Sequence, residues 1–447
     1  MSQELQRENR VNAGGVIRTL YNKARLLDPA SGLDTMGSIL IEGNKILEIA
    51  PNFSPDSIPE NIKQFDCEGL CLTPGLIDMR VHLPGPGEEH KETFETASSA
   101  AAAGGVTSLI CLPDKSLPLD TVSLVEFIAR RARETNIVKI YSHGAITRNI
   151  DGLELTEFGI LSEAGVLGFT DGTKPVADAM VMRRALAYAA TFGLLLMQHP
   201  EEPTLTKNGQ MNEGVVSTKL GLNGIPSAAE VIMVERDLRL AELTGSRYHA
   251  AHISTAAAIA AIRSAKERGL PVTCDTSPHY FTLNDTAVMD YRTYTKVSPP
   301  LRDELDRLAV IEGIRDGTID IIASDHRPQD QDSKRLPFVQ AEPGIVGLET
   351  LLSLSLTLHH DENMSLLGVL EKMTSGPAHL LDMKEGKLAI GKPADFLIFD
   401  PDDFWTVESK SLKSKSKNTP YDGKRLQGLV MDTVVGGRHV YSRQNNK

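Results

Sequence analysis

Nowhere in the 447 residues does an apolar run approach the roughly 18 to 20 residues that span a bilayer as a helix. Membrane passage is not expected. The first fifteen residues, MSQELQRENRVNAGG, are polar and mixed in charge. They lack the apolar core of a secretory signal, so a cytoplasmic chain is expected. Cysteine is sparse. Of the four, Cys67 and Cys71 have four-residue spacing, but Cys111 and Cys274 supply no second pair to complete a zinc knuckle. Buried reduced thiols are the expected state. A basic surplus is missing too: the formal net charge is −12 and the pI about 5.5. That balance disfavours broad non-specific binding to nucleic acid or anionic membranes.

What is present is a normal core-forming composition, 41% hydrophobic and 24% charged, as a packed soluble protein requires. The length suits a barrel of about 250 residues with a smaller satellite. Residues 1–15 read as a flexible tail. The strand-like pieces VIRTLYNKARLL and SILIEGNKILEI follow, and assign residues 16–70 to the first part of a small β-domain. From Cys71 onward, short apolar runs alternate with longer amphipathic stretches such as SLVEFIARRARE and TAAAIAAIRSAKERG. This is the rhythm of repeated βα units. Eight strands can be read: LIDMRVHL, VTSLICLP, VKIYSHGAI, GVLGFTD, GLLLMQH, RYHAAHIS, PVTCDTSPH and IDIIASDH. Parallel strands with helical crossovers predict an α/β fold, a closed (β/α)₈ TIM-type barrel over 71–385. Residues 386–447 return to β character, in GKLAIGKPADFLIFD and LVMDTVVGGRHVY. Both chain ends are predicted to pair into one composite β-domain beside the barrel. The Lys-Ser alternation KSLKSKSK at 410–417 reads as a solvated loop in preference to a phosphate-binding patch.

Chemistry in such barrels sits at the C-terminal ends of the strands. Those ends carry His82, Asp114, His143, Asp171, His199, His252, His279 and Asp325. Any one buried histidine has a packing explanation, but polar metal-type residues at nearly every strand end do not. Imidazoles and carboxylates suit zinc-like ions, and a catalytic site needs about three protein ligands with one position open for water. A carboxylate such as Asp325 could then act as general acid/base toward a leaving amide nitrogen.

The stretches PGLIDMRVHLPGPGEEHKETFETASSAAAAGGVTS, GLNGIPSAAEVIMVERDLRLAELTGSRYHAAHIS, KVSPPLR, DGTIDIIASDH and GIVGLET resemble dihydroorotases of the long-chain bacterial class. So does the tail GKLAIGKPADFLIFDP, and the likeness runs over about residues 20–442. The resemblance implies the barrel and composite β-domain, one or two zinc ions, and ring closure of carbamoyl-aspartate to dihydroorotate in pyrimidine biosynthesis. By the same resemblance His82, His199, His252 and Asp325 match metal-ligand positions and could hold a single ion.

Other positions depart from the family pattern. The first strand should end in His-x-His, and here reads Arg80-Val81-His82. A guanidinium has no lone pair for a metal. Pro84 stands where the family's carboxylate-gripping arginine is expected, Asp114 and Ser298 where substrate-binding asparagines are expected. Gly172 occupies the position of a metal-bridging aspartate, which Asp171 could fill only after a one-residue slip. Gln329 replaces the last histidine of Asp-His-Ala-Pro-His. His279 is a weak substrate-site candidate, and His143 matches no ligand and is expected in the core.

These losses fall on metal and substrate groups, while Gly, Pro and core text is kept. The pattern resembles the non-catalytic dihydroorotase-like subunits that assemble with aspartate transcarbamoylase. The expected function is such a scaffold, itself able to form a homo-oligomer, with one zinc ion or none. The alternative is an active zinc-dependent dihydroorotase, or a related cyclic-amide hydrolase, working with a single-metal site.

Overall fold

The computed structural model describes residues 18–51 and 62–443; the tail expected at 1–15 lies outside them. In chain order the first strands are β1 (Arg18–Asp28), β2 (Leu33–Glu42), β3 (Lys45–Ala50), β4 (Lys63–Asp66) and β5 (Cys71–Pro74). Then come β6 (Leu76–Val81), β7 (Val106–Cys111), β8 (Lys139–Ser142), β9 (Leu196–Gln198), β10 (Met211–Asn212) and β11 (Gly224–Ile225). The series continues with β12 (Tyr248–Ala250), β13 (Val272–Thr276) and β14 (Ile321–Ile322). It ends with β15 (Phe396–Thr406), β16 (Arg425–Val435) and β17 (Arg438–Ser442).

The two chain ends share one sheet, in the order β17-β16-β15-β5-β1-β2-β3, with β4 added along β1. β15 is the seam: it runs antiparallel to both β16 and β5. Tyr21 anchors the core of this sheet. It stacks on Phe65 at 5.1 Å and meets Phe396 edge-on at 4.9 Å, a geometry aromatic quadrupoles favour. Between sheet and barrel the chain turns at Gly75, where a Cβ would lie 2.1 Å from the Thr107 side chain. Only glycine lets the two bodies approach this closely.

The barrel closes completely. β6, β7 and β8 pair in parallel, as do β9, β12, β13 and β14. The fourth expected strand shrinks to parallel bridges from Phe169 to Gly144 and to Leu196. A parallel bridge between Val81 and His326 joins the eighth strand to the first. The crossover helices carry local start signals. Thr93 forms a capping box with Thr96 ahead of Phe94–Ala103, and Thr255, Asp178 and Asp303 cap three others, satisfying N–H groups that a helix start leaves open. All four cysteines are free and buried. Among the described residues no helix is long and apolar enough to cross a membrane.

Candidate functional site

The barrel fixes what strand β6 presents at its end. Every residue from Leu76 to Val81 is buried, and Arg80 is 0% exposed. A buried guanidinium needs partners; Arg80 has them through Nη2 and by ion pairing among the strand-end groups, while its Nε and Nη1 are without a hydrogen-bond partner. Its Nη2 lies 3.1 Å from His252 Nδ1 and 3.3 Å from Asp325 Oδ1, and its Nε lies 3.9 Å from Asp275 Oδ1.

From Arg80 a chain of contacts crosses the barrel. His252 Nε2 and His199 Nδ1 are 2.5 Å apart, His199 Nε2 is 3.0 Å from Glu201 Oε2, and Ser298 Oγ donates to that same oxygen at 2.7 Å. The tautomers follow from the ends. Guanidinium only donates and carboxylate only accepts. Arg80 therefore donates to His252 Nδ1, His252 Nε2–H donates to His199 Nδ1, and His199 Nε2–H donates to Glu201; this assignment comes from the network. In it the one lone pair of each imidazole is already engaged.

That settles the fit of a metal ion to these residues. His199, His252 and Asp325 lie together, but their lone pairs face the protein, and a cation stands among them. Among the described residues no three His, Cys, Asp or Glu side chains are grouped as a metal ion requires. A divalent ion about 4 Å from the guanidinium would meet a repulsion of about 8 kcal/mol at an effective dielectric near 20. As arranged, the residues do not fit zinc.

The charges adjust accordingly. Burial pushes the Asp325 pKa up, but the positive surroundings, with the Arg80 guanidinium 3.3 Å away, outweigh it and hold the carboxyl well below its usual range. Such a carboxylate is a weak base for proton transfer. Burial, aided by Arg80, lowers His252 to about 4. His82 falls to about 3 through burial and then Arg327; neither ring nitrogen has a hydrogen-bond partner, and Nδ1 is 3.9 Å from Asp114 Oδ2. His252 and Asp325 also hold left-handed backbones, φ +38° and +49°, a strain that folds retain where side chains must be aimed.

The remaining sequence candidates divide. Asp171 is not part of this group: its carboxylate takes the Thr147 N–H at 2.9 Å and the Thr147 hydroxyl at 2.5 Å. The slip that would make it a ligand does not occur, because two local bonds hold it to the loop after β8. Gly172 has φ +66°, and a Cβ there would lie 2.2 Å from Pro113 O, so the backbone has closed over the space a larger residue would use. Asp114 shapes a turn, its Oδ1 accepting from Ser116 N at 3.3 Å. His279 packs on Tyr280, with ring centroids 4.2 Å apart, and its Nε2 has no partner. Burial lowers its pKa to about 4. His143 bonds Met79 O at 3.2 Å inside the core. Gln329 Nε2 donates to Pro343 O at 3.1 Å, and Pro84 is half-buried in the loop after β6.

Sequence reading missed Glu201, Asp275 and His249. Asp275 accepts from His252 N at 2.7 Å and pairs with His249 Nε2 at 2.9 Å, so it holds both the His252 backbone and the Arg80 charge. Glu201 follows His199 in the text HPEE, a signal that was there to find. His249 and Asp275 lie within strands, where side-chain facing is not written in the text.

The family model described as Dihydro-orotase-like matches residues 69–258, and an Amidohydrolase family model matches 354–441. A dihydroorotase of Anaplasma phagocytophilum is 46% identical over 424 residues, 94% of each chain. One of Syntrophus aciditrophicus is 46% identical over 95% of this chain and 99% of its own. Among solved structures, the L-hydantoinase (dihydropyrimidinase) of Arthrobacter aurescens superposes with a TM-score of 0.84 at 24% identity, covering 95% of this chain and 96% of that one. The dihydropyrimidinase of Brevibacillus agri gives 0.80 at 22%, covering 96% of each; at these identities the likeness speaks for the fold, a barrel with a β-domain. Identity of this order along nearly the whole sequence makes the chain a member of the dihydroorotase family.

Proposed function

We propose that this dihydroorotase-family chain serves pyrimidine biosynthesis as a non-catalytic subunit that assembles with aspartate transcarbamoylase. One observation carries the first half: the Arg80 guanidinium, wholly buried, among His252, Asp325 and Asp275. It supplies the positive charge that this ligand set would otherwise draw from an ion, and it engages the lone pair that an ion would need. Pro84 and Gln329 offer no cation to grip a substrate carboxylate. The barrel and its composite sheet are kept whole, which supports a role for its outer surface. The transcarbamoylase partner rests on resemblance to dihydroorotase-like subunits. It is tested by co-expressing the two chains and sizing them by light scattering. A joint assembly, with transcarbamoylase activity depending on this chain, is expected. Two independent peaks with a fully active transcarbamoylase alone would overturn it.

A second reading, an active dihydroorotase or related cyclic-amide hydrolase, is favoured by the names of the 46% identical relatives. It requires Arg80 to leave the site. Metal content and dihydroorotate turnover of the purified chain, against Asp325→Ala, separate the two. Stoichiometric zinc with turnover that the substitution abolishes would establish the enzyme.

A further inference from the structure

The Lys-Ser run at 410–417 is not the solvated loop its composition suggests. Ser414 and Ser416 are 1% and 5% exposed. Ser414 Oγ sits on the Glu92 carboxylate, and Ser416 Oγ donates to Lys91 O at 2.6 Å. The N–H groups of Lys413 and Ser414 donate to Glu349 Oε1 at 2.6 and 3.2 Å, and that of Lys415 donates to Glu92 Oε1 at 2.9 Å. Two carboxylates thus hold the strap by its backbone, with serines turned in and Lys413 and Lys415 turned out.

Between this strap and the segment after β14 lies a cavity of about 340 Å³. Its wall carries Lys334, Lys415, Lys417 and His90 against one carboxylate, Asp330. On a chain of net charge −12 this is a local inversion of sign, which concentrates anions. The ammonium groups are held in place. Lys334 Nζ donates to Thr293 O at 3.0 Å and Glu342 O at 2.6 Å. Lys417 Nζ donates to Leu412 O and Ser414 O, and Lys415 Nζ to Glu89 O. An ammonium has three N–H groups, so each lysine keeps at least one for a ligand. Gln329, 5% exposed, lines the same cavity, and its buried Oε1 has no partner. A buried acceptor without a donor is costly. A fully ionised sulfate or carboxylate cannot supply that donor, but a protonated phosphate can, through its P–OH.

We infer that this cavity is a binding site for the free hydrogen phosphate ion, the form that keeps a P–OH proton at neutral pH. The lysines neutralise the charge as point cations, and Gln329 Oε1, closed off in the unliganded chain, accepts the P–OH proton once its amide turns toward the cavity. Burial, aided by Arg327 and Lys296 and opposed by Glu342, brings Lys334 down to about 7, and a bound anion would restore its proton. The site is independent of Arg80 and of any turnover.

The test is calorimetric titration of the full chain at low ionic strength with inorganic phosphate, sulfate and glycerol 3-phosphate. Saturable phosphate binding is expected, at least about tenfold tighter than sulfate. His90→Ala and Lys415→Ala together should weaken it by about tenfold or more, and Gln329→Leu should abolish the preference over sulfate. Thermal unfolding of each variant verifies the fold. At about pH 7 glycerol 3-phosphate is mostly a dianion without P–OH and is expected to bind as weakly as sulfate; binding tighter than phosphate would overturn the assignment. Absence of saturable heat at roughly 10 mM phosphate, equal sulfate binding, or unchanged affinity in the folded double variant would each overturn the assignment.

Discussion

The Arg80 guanidinium faces the lone-pair side of His252, with Nη2 3.1 Å from Nδ1. This contact decides what the imidazole can do, because a nitrogen that accepts a hydrogen bond from a fixed cation has nothing left to give an ion. Replacing the cation by a ligand should therefore change metal affinity directly. Arg80→His, reconstituted with zinc and desalted, is expected to retain more metal by mass spectrometry than the wild type, which retains only a trace. Stoichiometric zinc in the wild type would contradict the geometry.

Removing the charge without replacing it has a different outcome. Arg80→Met leaves Asp275 and Asp325 buried without their counter-charge. Breaking a buried pair in this way costs about 3–5 kcal/mol. Urea unfolding should show a loss in that range; a loss below about 1 kcal/mol, the size of an exposed pair, would mean Arg80 is not what compensates these carboxylates.

Gly172→Asp should destabilise the chain. Its φ is +66° and a Cβ would meet Pro113 O at 2.2 Å, so backbone strain of about 1–3 kcal/mol is expected before the carbonyl has moved. A lower melting temperature with no gain in zinc is the anticipated result. A neutral or stabilising substitution would show that this backbone opens freely.

Glu349 gives a pH signature. Burial raises its carboxyl to about 7 from an ordinary 4.5, although the Ser414 and Lys413 N–H groups pull the other way. Below about 4.5 folded and unfolded chains both hold the proton, and between there and 7 the folded chain holds it preferentially. The stability this proton contributes is present at low pH and is lost as pH rises through 7. Glu349→Gln keeps an acceptor and removes the titration. Relative to wild type it should gain about 3 kcal/mol between pH 4.5 and 8. Parallel stability profiles for the two proteins would rule this out.

Most of the barrel is written in the sequence because its strands are short apolar runs between amphipathic helices, a pattern that survives without tertiary context. The fourth strand is the exception. GVLGFTD reads as a strand, yet only Phe169 forms backbone bridges. Strand-end residues were equally readable, since His199, His252 and Asp325 close apolar runs. Which way Arg80 turns was not, because that depends on Asp275 and His252, nearly two hundred positions away. Asp171 shows the same limit: nothing in its neighbourhood announces that Thr147 will take both carboxylate oxygens. The Lys-Ser run misleads for a related reason. Its lysines advertise water, while its serines and backbone are claimed by Glu92 and Glu349.

The closure of Gly172 against Pro113 bears on what it would take to build a complete ligand set in this barrel. A mutation at position 80 alone would leave the loop at Gly172 closed, and one at position 172 alone would strain that loop while the guanidinium still stands in the way. Rebuilding a carboxylate ligand on this side therefore takes two coordinated changes, with the loop reshaped before the new side chain can reach an ion beside position 80.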